Sequence, residues 1–482
     1  MMKSLLCAVS ILGAIAPVFA VDKEGEPPNI LFILVDDQRN HTLGCAGHPT
    51  VKTPNIDSLA ASGVRFENAF VNTSICMASR ATLFTGLTTT SHGYCGGPAP
   101  CTPVIKDDVE TSFPALLRRA GYRTGFFGKQ HVRFQGGNSA MGTMFDEHQT
   151  LGRNPYLKTM PDGTLRHVDE IMGDRSVAFL KAHQKEKPFF LYMSFNISHA
   201  EDRDHRPGHH FQWAKEEDGL YEDIDPRRPD LDDPKYYDAA PEFLRDSMNR
   251  DRYLWRWDTL EKYRVNMRAL YRMLTGMDRI VGRVMKTLEA RGMDKNTVII
   301  YSADNGYYMG DRGMAGKWSH FEESLRVPLI VYDPRMPEGQ RGRVLQQTAV
   351  NLDIPCTILD KAGVPIPEKY QGRSLAPLLD GKDPADWRED FYCEHHYNNK
   401  TLRKWYGVRD GRFTYANYYE EKVELLYDRE KDPTQRNSVA GNPEYEDELK
   451  KLRARSDAYK QQYTRPEIAA LKEGAKGGGR RQ

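Results

Sequence analysis

The sequence predicts an α/β protein with a large, mostly parallel β-sheet sandwiched by helices and a smaller α+β subdomain at the C-terminal end. Three observations support this prediction. Short apolar runs alternate with amphipathic helical patterns across residues 29–332. The chain has 482 residues, more than one ordinary domain, and 39% of them are hydrophobic, enough for a large core. After Pro384 the composition shifts towards tyrosine and charged residues.

Five apolar runs are expected to form buried strands, because a strand covered on both faces is apolar along its whole length. The clearest is Asn29–Val35, which stops at Asp36 and Asp37. The other four cover 124–127, 188–195, 297–301 and 327–332. Apolar residues at helical spacing predict a helix over 270–288, and a second helix is expected over 111–120.

Polar residues follow directly after several of these predicted strands. Asp36 and Asp37 follow the first strand, and Lys129, His199 and the pair 304–305 follow three others. Ligands of parallel α/β sheets bind beyond the carboxyl ends of the strands. The sequence therefore predicts a functional site at this edge of the sheet.

The first twenty residues have the pattern of a signal peptide. Lys3 precedes an apolar run from Leu5 to Phe19, and a small-residue cleavage site ends at Ala20. The run is shorter than the roughly 20 residues that a membrane-spanning helix needs, and no later run is long enough. We therefore expect export to the periplasm or the extracellular space, cleavage near Ala20 and no membrane span.

The remaining chain divides into a large domain over 21–385 and a C-terminal subdomain over 386–482 with a disordered tail from Gly474. Short strands over 405–408 and 412–416 and a polar helix near 444–462 are expected in the subdomain. Residues 200–260 interrupt the large domain with little apolar periodicity. They are either a surface insertion or a functional segment.

Charge and cysteine content narrow the class of protein. Lys and Arg number 68 and Asp and Glu number 67, a formal net charge of +1, which excludes a nucleic-acid binder that relies on general positive charge. Cys7 leaves with the signal peptide, so six cysteines allow up to three disulfides in an oxidising compartment. Cys95 and Cys101 are placed to close a small loop.

The most informative stretch is TSICMASRATLFTG, residues 73–86. Cys76 and Arg80 lie one helical turn apart at a predicted helix start, where both the arginine and the helix N-terminus favour an anion. A cysteine and an arginine at this spacing are more often structural, so the flanking residues decide the interpretation.

This stretch resembles the signature of the type I sulfatases of the alkaline phosphatase superfamily, C-x-P/A-S-R followed by T-G. Further matching segments follow in the family's order over 29–37, 53–57, 128–131, 198–199, 302–306, 316–322, 424–428 and 432–433. The resemblance implies an alkaline phosphatase-like fold with its catalytic domain in 21–385. It also implies an exported carbohydrate sulfatase of the bacterial kind, acting on a sulfated glycan.

In that family the signature cysteine is oxidised after translation to formylglycine (3-oxoalanine). The resemblance implies this modification at Cys76, made by a formylglycine-generating or a radical maturation enzyme. The hydrated aldehyde carries two hydroxyl groups, which a thiol lacks. With Cys76 modified, five cysteines remain and at least one is unpaired. Ala78 stands where many members have proline, which leaves the choice of maturation enzyme open.

Four side chains are candidate metal ligands: Asp36, Asp37, Asp304 and Asn305. They supply only oxygen atoms, and all-oxygen ligation favours Ca²⁺ or Mg²⁺ over zinc. The resemblance implies one Ca²⁺ per chain.

Five further residues match catalytic positions of the family. Arg80, Lys129 and Lys317 are implied to orient the aldehyde hydrate and hold the sulfate oxygens. His131 and His199 match the two catalytic histidines.

The candidate contacts to the sugar are Asp311, Arg312 and His320. The segment 310–320 is similar to that of sulfatases acting on galactose or N-acetylgalactosamine sulfate. Additional candidates are His209, His210, His395, His396 and the insertion.

Two alternatives stay open. One is a phosphonate monoester or phosphodiester hydrolase of the same superfamily. The other is a sulfated-glycan-binding protein without catalytic activity.

Overall fold

The computed structural model describes residues 25–97, 100–206 and 208–478, so the predicted signal peptide lies outside the described residues. The strands are β1 (Asn29–Val35), β2 (Val64–Phe66), β3 (Ala69–Phe70), β4 (Arg123–Gly128), β5 (Glu147–Thr150), β6 (Leu157–Thr159), β7 (Leu165–His167), β8 (Phe189–Ser194), β9 (Thr297–Ala303), β10 (Tyr308–Met309), β11 (Ala315–Gly316), β12 (Leu329–Tyr332), β13 (Arg343–Leu345), β14 (Ala349–Val350), β15 (Asp390–His395), β16 (Trp405–Asp410), β17 (Phe413–Tyr418) and β18 (Val423–Asp428).

The α-helices connect and cover these strands. They are α1 (Pro54–Ser62), α2 (Cys76–Thr85), α3 (Thr89–His92), α4 (Lys106–Glu110), α5 (Phe113–Arg119), α6 (Asn138–Met144), α7 (Val168–Lys181), α8 (Pro234–Ala239), α9 (Glu242–Arg245), α10 (Met248–Arg256), α11 (Leu260–Ala290), α12 (Glu322–Leu325), α13 (Asp353–Lys361), α14 (Ala376–Leu379), α15 (Glu446–Tyr463) and α16 (Pro466–Gly478). No helix in the described part of the chain is long and apolar enough to cross a membrane.

A central sheet of eight strands has the order β13-β2-β12-β9-β1-β8-β4-β5. The five strands from β9 to β5 are mutually parallel, whereas β12 runs antiparallel to both β9 and β2. The predicted fold class is confirmed, and the five predicted strands correspond to β1, β4, β8, β9 and β12. These five strands are consecutive neighbours and form the central part of the sheet.

The sheet separates two apolar layers, and β1 contributes to both. Its even-numbered residues over 30–34 pack into the layer that contains α2, α5 and α13. Its odd-numbered residues over 31–35 pack into the layer that contains α7 and α11. Because successive side chains of a strand point to opposite faces, a strand between two layers is apolar throughout. This explains the uninterrupted apolar run in the sequence.

A four-stranded antiparallel sheet, β15 to β18, forms the core of the C-terminal region. Helix α15 packs on it through Leu449 and Leu452. Arg409 of β16 joins the region to the large domain through an ion pair with Glu322 at 2.6 Å. Helix α16 extends to Gly478, so the expected disorder is wrong for 474–478, where the helix that begins at Pro466 continues.

The insertion over 200–260 contains three helices, α8, α9 and α10, which the sequence analysis did not predict. Helix α10 buries mainly polar side chains, among them Asn249, Arg252 and Arg256. Apolar periodicity does not detect a helix that turns a polar face inward. Tyr253 is the apolar exception on this face.

One disulfide, Cys95–Cys101, is present, with the two Cα atoms 5.4 Å apart. It closes the small loop that the spacing predicts. Within the described residues, Cys45, Cys76, Cys356 and Cys393 are free thiols.

Candidate active site

The two acidic pairs meet because the strands that carry them are neighbours in register. Val35 of β1 lies opposite Ala303 of β9, so the residues that follow each strand leave the sheet side by side. The backbone N–H of Asp304 donates to the carbonyl of Val35 at 3.0 Å. The backbone N–H of Asp37 donates to Oδ1 of Asp304 at 3.1 Å. The predicted site at this sheet edge therefore exists as a cluster of side chains.

Cys76 is the first residue of α2 and is 4% exposed. A ligand atom of Cys76 and carboxylate oxygens of Asp36 and Asp304 all lie within 4.8 Å of one another. One turn along α2, Arg80 donates from Nε to Oδ2 of Asp304 at 2.7 Å and from Nη1 to the carbonyl of Lys129 at 2.8 Å. The helix start, the thiol and the acidic cluster thus form one buried unit.

Two lysines are paired with the acids of β1. Lys129 forms an ion pair with Asp36, and Lys317 forms one with Asp37. Each pair uses one carboxylate oxygen. Both lysines are buried, at 5% and 1% exposure, so their charges are screened little by solvent.

Both predicted histidines contact this cluster. Nδ1 of His131 lies 3.4 Å from Sγ of Cys76. Nε2 of His199 lies 3.5 Å from Oδ2 of Asp37. The other nitrogen of His199, Nδ1, lies 2.7 Å from the carbonyl of Ala200, which fixes the orientation of the ring. The structure thus brings together all six predicted catalytic residues and all four predicted metal ligands.

Electrostatics in the cluster follow from burial and crowding. Burial and the charge of Asp36 raise the pKa of Asp304 well above its usual value. Burial acts on Asp36 in the same direction, but Lys129 and Arg80 hold its pKa below the usual range. Burial and the nearby cations lower the pKa of His199 well below its usual value.

Three oxygen atoms at the centre of the cluster are buried without a hydrogen-bond partner among the described residues: Oδ1 of Asp36, Oδ2 of Asp37 and Oδ1 of Asn305. Asn305 donates from Nδ2 to Oδ1 of Asp37 at 2.7 Å, and this leaves Oδ1 of Asn305 without a hydrogen-bond partner among the described residues. Buried acceptors without partners are uncommon because they are costly. A hard divalent cation prefers such oxygens, so these residues fit Ca²⁺ or Mg²⁺.

Three non-glycine residues in or beside the cluster have left-handed backbone conformations. They are Asp37 (φ 55°), His131 (φ 55°) and Trp318 (φ 82°). Such a conformation costs on the order of 1–3 kcal/mol per residue and is concentrated at functional sites. The fold therefore maintains this arrangement at a cost in stability.

The three predicted sugar contacts, Asp311, Arg312 and His320, are buried and have partners within the protein, and their contact with the sugar stays a prediction. Asp311 pairs with Arg39 at 2.5 Å. Arg312 pairs with Glu323 at 3.1 Å and donates to the carbonyl of Thr434 at 2.5 Å. Arg312 thus joins the loop between β10 and β11 to the C-terminal region.

His320 contacts two tyrosines of the C-terminal sheet. Its Nδ1 lies 2.9 Å from the hydroxyl of Tyr418, and its ring stacks on Tyr427. Of the other histidines proposed, His396 contacts Glu394 at 2.8 Å and His210 is fully buried beside the carbonyl of Glu201.

Sequence reasoning missed three charged residues beside the cluster: Arg153, Asp202 and Arg252. Arg153 lies three residues after β5, a polar strand that apolar runs do not predict, so the rule that found the other site residues does not reach it. Asp202 lies three residues after His199. Arg252 carried no signal, because it belongs to the unpredicted helix α10.

Comparisons with known proteins agree with this geometry. The family model described as Sulfatase matches residues 28–364. A second model, N-sulphoglucosamine sulphohydrolase, C-terminal, matches residues 310–462. The first covers more than half of the chain, including every predicted catalytic and metal-binding residue.

Curated and solved relatives extend over nearly the whole chain. An N-acetylglucosamine-6-O-sulfatase from Bacteroides thetaiotaomicron is 27% identical, over 96% of this chain and 91% of that protein. A solved structure in complex with its substrate D-glucosamine-2-N,6-O-disulfate is 25% identical and covers 91% of this chain and 98% of that one, with a TM-score of 0.77. A phosphonate monoester hydrolase of Agrobacterium radiobacter, 22% identical with a TM-score of 0.69, shares the fold.

The resemblance seen in the sequence is confirmed by the family match over the catalytic region. The chain therefore belongs to the sulfatase family and is a sulfuric ester hydrolase.

Proposed function

We propose that this protein removes sulfate from a sulfated carbohydrate, with formylglycine at position 76 as the nucleophile and one bound Ca²⁺. The observation that best supports this is the convergence of Cys76, Asp36 and Asp304 within 4.8 Å. The sulfated-sugar substrates of the two similar proteins support a carbohydrate. Galactose or N-acetylgalactosamine sulfate stays a prediction from the sequence.

Asp36, Asp37, Asp304 and Asn305 are the residues that would hold the cation. When bound, it polarises a sulfate oxygen and lowers the pKa of a nearby hydroxyl group. The three buried carboxylates face three buried cations, Arg80, Lys129 and Lys317. A divalent cation would therefore give the pocket a net positive charge, which favours a sulfate ester.

The first half of the reaction transfers the sulfuryl group to the protein. One hydroxyl of the hydrated aldehyde at position 76 attacks sulfur and gives its proton to Asp304, whose carboxylate lies within 4.8 Å of the Cys76 ligand atom. The bond between sulfur and the sugar oxygen breaks. Arg80, Lys129 and Lys317 stabilise the charge on the sulfuryl oxygens. A sugar alkoxide is a poor leaving group, so His199, assisted by Lys317, protonates the departing oxygen.

The second half releases sulfate and restores the aldehyde. His131, 3.4 Å from Sγ of Cys76, is placed to take the proton of the remaining hydroxyl. The carbonyl re-forms as the bond between carbon and the sulfate oxygen breaks. Water then hydrates the aldehyde for the next cycle.

Three further proposals come from the sequence. The protein is exported to the periplasm or extracellular space by a signal peptide over 1–20. A maturation enzyme oxidises Cys76. The catalytic domain covers 21–385 and the C-terminal subdomain begins at 386.

The proposed function predicts selectivity for sulfate over phosphorus esters. Protein coexpressed with a maturation enzyme is assayed on a panel of sugar sulfates and on phosphate and phosphonate esters of the same alcohols. We expect kcat/KM for the best sulfate ester to exceed that for its phosphorus counterparts by about tenfold or more. Faster turnover of the phosphorus esters would favour the alternative hydrolase, and no turnover of any ester would favour a binding protein.

Cys76→Ser is expected to react only once. A serine has a single hydroxyl, so its sulfate ester has no second hydroxyl to expel sulfate. Intact-mass analysis after incubation with a cleaved sugar sulfate should show protein carrying one sulfuryl group, whereas Cys76→Ala should carry none. Multiple turnover by the serine variant would contradict the mechanism.

The activity that His199→Ala loses is expected to depend on how much the leaving group needs protonation. General acid catalysis contributes about 10²–10⁴-fold, and 4-nitrophenol leaves without protonation. Activity on a sugar sulfate should therefore fall much more than activity on 4-nitrophenyl sulfate. His148→Ala, an exposed histidine on β5, is the control and should leave both activities unchanged. Equal losses on both substrates would reject His199 as the acid.

The chelated protein should gain thermal stability on addition of Ca²⁺. A ligand that binds only the folded state adds about 2.7 kcal/mol at one hundred times its Kd. Asn305→Ala and Asp36→Asn should abolish this gain in thermal denaturation. Asp162→Asn, an exposed acid, should retain it. The cation proposal fails if stability is independent of Ca²⁺ or if the site variants respond like the wild type.

A further inference from the structure

Three arginines share one carboxylate beside the active site. Arg252 donates from Nη2 to Oδ2 of Asp202 at 2.8 Å, and Arg256 also forms an ion pair with Asp202. Nη2 of Arg153 lies 3.5 Å from the same carboxylate. Asp202 therefore compensates one of three positive charges, and the cluster keeps an excess of positive charge.

The cluster is attached to both residues proposed to protonate the leaving group. Arg153 donates from Nε to the carbonyl of Ala200, next to His199, at 3.3 Å. The guanidinium of Arg252 lies 4.8 Å from the ring centre of Trp318, the residue after Lys317. The three-arginine cluster thus lies on the side of the site where the sugar departs.

Arg252 has hydrogen-bonding capacity that the protein does not use. Its Nε and Nη1 are buried and have no hydrogen-bond partner among the described residues. The side chain is 10% exposed, compared with 0% for Arg256. A guanidinium group offers a planar fork of donors that matches a carboxylate or a sulfate. Buried donors without acceptors indicate that an acceptor group is missing.

We propose that the arginines at 153 and 252 bind a second anionic substituent, a sulfate or a carboxylate, on the leaving-group side of the substrate. The substrate class is then a glycan with at least two anionic groups close together. This inference rests on the proposed function, since it assigns the sugar side from His199 and Lys317. Asp202 and Trp318 hold Arg252 in place, and its Nε and Nη1 have no acceptor among the described residues.

The test compares matched substrates that differ by one anionic group. Singly charged substrates are N-acetylglucosamine 6-sulfate, N-acetylgalactosamine 4-sulfate and N-acetylgalactosamine 6-sulfate. Their counterparts are glucosamine 2-N,6-O-disulfate, N-acetylgalactosamine 4,6-disulfate and disaccharides that carry an adjoining uronic acid, which separate sulfate from carboxylate recognition. We expect at least one doubly charged substrate to exceed its partner in kcat/KM by about tenfold or more. No such preference in the wild type would overturn the inference.

Variants of Arg252 test whether this residue causes the preference for doubly charged substrates. Arg252→Gln should bring the ratio between matched substrates close to one, mainly through KM, and Arg252→Lys should retain part of it. Arg250→Gln is the matched control: it lies on the same helix, stacks on Tyr237 and donates to the carbonyl of Gly313. Its ratio should equal that of the wild type. A structural role alone would lower activity on both substrates alike, so an unchanged ratio in Arg252→Gln would also overturn the inference.

A binding measurement separates this inference from the sulfatase chemistry. Cys76→Ala, titrated calorimetrically with the same matched compounds, should bind a doubly charged member more tightly, and adding Arg252→Gln should remove the difference. If no ester is hydrolysed yet this difference is present, the proposed function fails and the anion site stands. If esters are hydrolysed without any difference, the anion site fails alone.

Discussion

The ion pair between Arg80 and Asp304 holds the active site together. It joins the first turn of α2, which presents Cys76, to the end of β9, which presents two candidate metal ligands. Both side chains are almost fully buried, so breaking the pair leaves an uncompensated charge in a low-dielectric interior. The neighbouring strand β1 adds its own acids through the register with β9. Sheet register and this one ion pair therefore fix the distance between Cys76 and the candidate metal ligands.

Each charged group of the cluster would be unfavourable if buried alone, but the opposite charges compensate one another when they are buried together. Carboxylates that repel one another share a pocket with lysines, an arginine and two histidines. Left-handed residues at 37, 131 and 318 add backbone strain at the same place. Sites of this kind trade folding stability for a prepared environment. The apolar layers on both faces of the sheet provide the stability that this trade requires.

The central strands and the site residues that follow them could be predicted from the sequence, because they follow simple apolar periodicities. The run Asn29–Val35 coincides with β1 at both ends, since a strand between two apolar layers has no polar position. Helix α10 could not be predicted from apolar periodicity, because most of the side chains that it buries are polar, such as Asn249 and Arg252. The surroundings of His320 do not follow from its nearness to Lys317 along the chain. Trp318, with φ 82°, turns the chain, and His320 packs against the C-terminal sheet.

The burial of Cys76 has a consequence for the order of events in the cell. Only 4% of this residue is accessible once α2 has docked on the sheet. A protein-sized reagent cannot enclose a side chain that is buried in this way. The oxidation proposed for Cys76 would therefore precede the docking of α2 on the sheet.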